Sequence, residues 1–172
     1  STLRYKKLMN PPGRIVPVIA IFGLIAMLGG GVYYASLDND DLESATIELT
    51  SVEILDVNSI ENTATLVVIF TVTNPSDLTF TVPVITYELY ANGNVMGAGA
   101  YSTEDIAMPG RAAFYPGTEI PLESWFSLKL TDENQQQYYA IVSGENIDYD
   151  AVGILTVESA WSIVEPPFDT RN

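Results

Sequence analysis

Between Ile15 and Ala35 the chain reads IVPVIAIFGLIAMLGGGVYYA, with no charged residue. As a helix rising about 1.5 Å per residue, the run is roughly 31 Å long. A bilayer's hydrocarbon core is about 30 Å thick. Core helices of globular domains seldom run this far without a polar face, so a spanning helix is expected over 15–36. A cleaved leader would carry a shorter apolar stretch, about 7 to 15 residues, before a small-residue cleavage site. Retention as an anchor follows. Pro17 falls in the first turn, where its absent N–H is tolerated.

Charge orders the rest. Four of the seven basic residues, Arg4, Lys6, Lys7 and Arg14, precede the apolar run, and no acidic residue occurs before Asp38. Residues 1–37 carry +4. The remainder, with 3 basic and 22 acidic residues, carries −19. Basic flanks stay on the cytoplasmic side. The expectation is a cell-membrane protein with a cytoplasmic tail (1–14) and an extracellular or pseudoperiplasmic domain. Tyr33 and Tyr34 would anchor the outer interface. Gly23, Ala26 and Gly30 offer small surfaces for packing against another membrane helix. So acidic a domain repels phosphate backbones, which argues against nucleic-acid binding. The sequence contains no cysteine and no histidine. That removes imidazole and thiolate metal ligands and histidine-activated nucleophiles. No catalytic residue, cofactor site or metal site is assigned.

Residues 37–44 (LDNDDLES) read as an acidic linker. Strand patterns bounded by turn signals follow from 45 to 165, the signature of an all-β sandwich. Ile47 and Leu49 share one phase and Val52 and Ile54 the other, which a bulge near Ser51 reconciles. The run Thr63–Thr73 (TATLVVIFTVT) is apolar on both alternations, predicting a central strand buried on both faces. Asn74-Pro75-Ser76-Asp77 makes a turn. Leu78, Phe80 and Val82 predict one strand; Ile85, Tyr87 and Leu89 predict another. Asn92-Gly93 is a hairpin turn. Gly97 and Gly99 mark a bulge or close backbone approach. A short helix is expected over Glu133–Val142, capped by Thr131 or Asp132 and ended by Gly144. A last strand over Val152–Val164 is stopped by Glu165-Pro166-Pro167, leaving 166–172 as a tail. Trp125, Phe126 and Trp161 read as core or edge residues, with a partner-binding patch as the other reading.

Several of these segments carry a resemblance. The apolar strand Leu66–Val72 ending in Asn74-Pro75-Ser76, the Tyr87…Asn92-Gly93…Gly97 hairpin, the stretch Ile106–Leu122 and the segment Tyr138–Gly144 together resemble the water-stress-and-hypersensitive-response (WHy) domain of type 2 late-embryogenesis-abundant proteins. The resemblance covers roughly Ala45 to Val164. It implies an immunoglobulin- or fibronectin-III-like sandwich with one short helix. It also implies a stress-protective, membrane-associated or interaction role, and supplies no catalytic residues. Archaeal members with an N-terminal anchor belong to the same picture.

Carboxylates are the one chemical group present in number. Asp38-Asn39-Asp40-Asp41 resembles half a calcium loop but lacks its Gly and its bidentate Glu. Asp148 and Asp150, with Glu145, form a candidate for weak Ca²⁺ binding. The functional expectation is a non-catalytic accessory or structural subunit of a larger membrane complex. Its partners are the lipid bilayer and other membrane subunits, with an archaeal copper-type monooxygenase as one example. The alternative is a stand-alone stress-protective or binding protein of the cell surface.

Overall fold

The uninterrupted apolar run forms one helix, α1 (Ile15–Ser36). The computed structural model describes residues 15–104 and 111–171. It divides into a unit ending at Leu37 and a unit starting at Asp38. The helix ends at Ser36, where the sequence reading ends it.

The second unit contains α2 (Asn39–Glu43), β1 (Thr46–Asn58), β2 (Thr63–Thr73), β3 (Phe80–Ala91), β4 (Asn94–Ser102), β5 (Ala113–Phe114), β6 (Glu119–Lys129), α3 (Gln135–Val142), β7 (Tyr149–Glu158), β8 (Ile163–Val164) and β9 (Pro167–Asp169). Two antiparallel sheets result. One has the order β1-β2-β6. The other has the order β4-β3-β7-β8, with β5 beside β3 and β9 beside β7. This is the β-sandwich expected from the sequence.

The β2 strand sets the core. Its even positions, Ala64, Leu66, Val68, Phe70 and Val72, are fully buried, and its odd positions are half-buried. Opposite them lie Ile85, Tyr87 and Leu89 of β3 with Leu155 and Val157 of β7. The Phe70 and Tyr87 rings meet edge to face, 4.9 Å between centroids. Phe80 and Phe114 stack at 5.4 Å. Tyr138 and Ile141 of α3 close the core. The structure thus corrects the reading of β2 as buried on both faces. It is the middle strand of its sheet, but no described element covers that sheet's outer side.

Four further boundaries differ from expectation. The two strands read around Phe80 and Ile85 are one strand, β3. Its register against β7 shifts between Thr81 and Val84, so the inward phase changes at Pro83 without a break. Residues 38–44, read as a linker, hold α2, whose Leu42 is completely buried. The last strand is divided by a turn at Ser159–Ser162 into β7 and β8. From the second proline, Pro167, the chain returns as β9, pairing with β7 rather than trailing as a tail.

Local signals held where their chemistry is unambiguous. The β1 bulge falls between Leu49 and Ser51, with a second between Ile54 and Asp56. Asn92 and Gly93 both have positive φ, 49° and 78°, as a two-residue turn matching the strand twist requires. The α3 helix starts at Gln135 rather than Glu133, and its N-cap is Asn134 rather than Thr131 or Asp132; Thr131 instead braces that cap, its N–H bonding Asn134 Oδ1 at 2.8 Å and its Oγ1 accepting from Asn134 N–H at 3.3 Å. Gly144, at φ 78°, ends the helix.

Candidate interaction surfaces

In α1 the exposed side chains Val16, Ile19, Phe22, Leu24, Ile25 and Met27 cover every side of the cylinder. Its mean hydropathy of 2.1 and its length suit a membrane crossing. A helix apolar all round is stable only where its whole surface leaves water. Gly23, Ala26 and Gly30 are exposed along it. A Cβ added at Gly23 or Gly30 would meet nothing within 4 Å. Tyr33 and Tyr34 are exposed near its end.

In the sandwich, the outer face of the β1-β2-β6 sheet is the more informative surface. The register puts Trp125 of β6 directly beside Val67 of β2, and Val67 beside Glu53 of β1. Ile69 is the next outward position of β2, flanked by Ser51 and Glu123. Trp125 is 73% exposed. Around this apolar centre, Glu48, Glu53, Asp56, Glu119 and Glu123 share the face and are exposed. Lys129, at one corner, is the one basic residue among those strands.

The sequence reading placed both tryptophans in the core or at an edge. Neither is in the core: Trp125 is exposed on β6, the end strand of its sheet, and Trp161 is exposed too, while Phe126, one position on from Trp125, is buried. The alternation of β6 decides this. Leu122, Ser124, Phe126 and Leu128 point inward, so Trp125 must point out.

The inward Ser124 has its own partner. Its hydroxyl bonds the Tyr87 hydroxyl at 2.8 Å and donates to the Ala100 carbonyl at 2.9 Å. Burial raises the Tyr87 pKa above its ordinary value, opposed by the Ser124 hydrogen bond. The sequence reading did not single out this pair, and the lone Ser among inward apolar positions of β6 was its only signal. Nearby, a Cβ on Gly99 would stand 2.5 Å from the Tyr87 ring, which bears out the close approach read at that glycine.

An open groove of about 870 Å³ lies beside α3, lined by Asn92, Asn94, Gln136, Gln137, Tyr139 and Glu145 among others. Its lining holds a single carboxylate, whereas two-carboxylate hydrolysis needs a pair across a cleft. Among the described residues no three acidic side chains gather closely enough to hold a metal ion. Asp148, Asp150 and Glu145 are thus not brought together as a calcium site.

No protein-family model matches the sequence, and no curated protein aligns with it. Solved structures do show a likeness. An Arabidopsis thaliana protein studied in solution is 17% identical over 72% of this chain and 76% of its own, with a TM-score of 0.49. A protein described as late embryogenesis abundant is 13% identical over 98% of this chain and 92% of its own, with a TM-score of 0.46. A protein from Archaeoglobus fulgidus is 19% identical over 71% and 92%, with a TM-score of 0.40. The likeness is one of fold alone.

Proposed function

We propose that the chain is a single-pass membrane protein that works by binding rather than by chemistry, as an accessory or structural subunit of a larger membrane complex. The observation that carries this reading is the outer face of the β1-β2-β6 sheet. Trp125 stands there 73% exposed, beside Val67, on a face that also carries Glu48, Glu53, Asp56, Glu119 and Glu123. An isolated soluble domain gains nothing from holding an indole in water on a sheet face that no described element covers. The partner surface fitting it is basic at its rim and apolar at its centre. The small residues of α1 would serve the same assembly within the bilayer. A copper-dependent membrane enzyme would be one such complex. With no histidine or cysteine, this chain would leave the metal to other subunits.

Native membranes extracted in mild detergent test the reading. A blue-native gel should show the chain in a large stoichiometric band, and Trp125→Ala should release it. Recovery of the wild-type chain only as a monomer or homodimer would overturn the proposal and favour a stand-alone protein of the cell surface.

A further inference from the structure

The turn joining β7 to β8 is closed by its own hydrogen bonds. Ser159 N–H donates to the Ser162 carbonyl at 2.9 Å. The Ser159 hydroxyl oxygen accepts from the backbone N–H of Trp161 at 3.3 Å and of Ser162 at 3.1 Å. This preformed tip holds out Trp161, 76% exposed, with Ile163 beside it at 62%. Ala160 and Trp161 carry no charge. The nearest carboxylate in β7, Glu158, is ion-paired with Arg111.

The place of this tip in the fold gives it meaning. The Ser162 hydroxyl bonds the Asn39 side chain at the start of α2. The buried Leu42 seats α2 in the core of the same unit. Asn39 follows Ser36, the last residue of α1, by three peptide units. Three extended residues span at most about 11 Å. That limit holds at any angle between helix and domain. Asn39, the residue that Ser162 bonds, is therefore held by the chain within that reach of Ser36, the last residue of the helix that bears Tyr33 and Tyr34. Indole rings favour such a layer because one edge is apolar and the N–H can remain hydrated.

We propose that the Ala160–Trp161 tip is a second, peripheral membrane contact, entering the interfacial layer of the bilayer that α1 crosses. The inference rests on α1 being a membrane span. The preferred lipid is neutral or zwitterionic. Asp40, Asp41 and Glu43 are exposed on α2, next to the tip, and would be repelled by an anionic surface.

The chain has two tryptophans, which makes the test direct. The full-length Trp125→Phe variant, emitting from Trp161 alone, is reconstituted in phosphatidylcholine vesicles with acyl chains brominated near the headgroup. The Trp161→Phe variant, emitting from Trp125 alone, is the control. The expected result is blue-shifted, strongly quenched emission from Trp161 and unquenched emission from Trp125. Mixing in phosphatidylserine should weaken the quenching. If the protein floats with the vesicles yet Trp161 is quenched no more than Trp125, the inference is overturned while the spanning helix stands. If it does not float with them at all, the spanning helix falls and the inference with it.

Discussion

The side-chain amide of Asn74 donates a hydrogen bond to the carbonyl of Phe114, forty residues further along the chain, at 2.8 Å. Its second N–H donates to the Leu78 carbonyl at 2.7 Å. Its carbonyl accepts from the Ser76 N–H at 3.0 Å and the Ser76 hydroxyl at 2.8 Å. Asn74 is completely buried, and its backbone also pairs with Thr118 and Gly117. One residue thus ties the β2–β3 turn to the segment that carries the chain from β5 into β6.

Removing that tie should be costly. In Asn74→Ala the Leu78 and Phe114 carbonyls lose a donor in a buried place, and each unsatisfied group costs about 1–3 kcal/mol. Asn74→Asp should be worse, because it keeps the shape but loses both donors and brings a charge inside. Urea unfolding of residues 38–172, which contain the whole core, measures both. A loss below about 1 kcal/mol for the alanine variant would show that water replaces the side chain.

The domain boundary gives a second prediction. A fragment beginning at Ala45, where the sequence pattern starts the sandwich, discards Leu42 and the Asn39–Ser162 bond. Deleting a buried leucine side chain typically destabilises by about 2–5 kcal/mol. The fragment from Asp38 should therefore melt well above the fragment from Ala45, and Leu42→Ala in the longer fragment should reproduce most of the difference. Equal melting temperatures would return residues 38–44 to the status of linker.

Leu42 also shows why some of the fold was legible and some was not. Local chemistry announces itself: Asn92-Gly93 fixes its own turn, and the alternation of Leu66, Val68 and Phe70 fixes its own strand. The burial of Leu42 depends on β7 and β8, more than a hundred residues away, and five residues of mostly acidic sequence give no hint of it. The sequence reads β3 as two strands because Phe80 and Val82 keep one phase and Ile85, Tyr87 and Leu89 the other, whereas a register shift against β7 absorbs the change. The Trp125 surface was harder still. Val67 and Ile69 make β2 look buried on both sides, and only the absence of a covering layer among the described elements, a tertiary fact, turns that outer face into a candidate surface. The membrane helix needed no tertiary information, since its length and uniform apolarity are properties of the segment alone.

Gly153 provides a sharper steric test. It lies opposite Tyr87 in the β3–β7 pair, and a Cβ there would sit 2.0 Å from the Thr86 carbonyl oxygen and 2.8 Å from the Tyr87 Cα. Both obstacles are backbone, so no side chain can swing aside. Overpacking costs about 1–3 kcal/mol when neighbours can adjust. Gly153→Ala should exceed that range or abolish folding. A variant with unchanged stability would mean that β7 slides along β3, which amide exchange across the Tyr87–Gly153 pair would reveal.

Alkaline pH should reach the core through Tyr87. Burial raises its pKa in the folded chain above the unfolded value of about 10. The folded state then holds the phenol proton more tightly. The stabilisation is complete below about pH 10 and is lost as pH rises through the folded value. Tyr101 and Tyr149, raised by burial as well, titrate in the same direction. Tyr87→Phe removes one of these protons. It should lower stability at pH 7 by about 1 kcal/mol, through the lost Ser124 bond, while making the fall in stability above pH 10 shallower. An alkaline slope identical to wild type would show that Tyr87 stays protonated until the domain has unfolded.

Trp125 should separate folding from binding. Its ring is outside the core and its cross-strand neighbour is Val67, so Trp125→Ala should lower the stability of the sandwich by only about 0.2–1 kcal/mol. Leu66→Ala, one step along β2 from Val67 but pointing inward and fully buried, should lower it by about 2–5 kcal/mol. If the outer face binds a partner, the order reverses on a native gel: the Trp125 variant leaves the complex, whereas the Leu66 variant, in the fraction that remains folded, still enters it. Charge reversal of Glu53 and Glu123, which flank that centre in the register, should weaken assembly further and leave unfolding nearly unchanged, because exposed charges contribute little to stability. Matched losses of assembly and stability across all three sites would instead place Trp125 among residues that serve the fold alone.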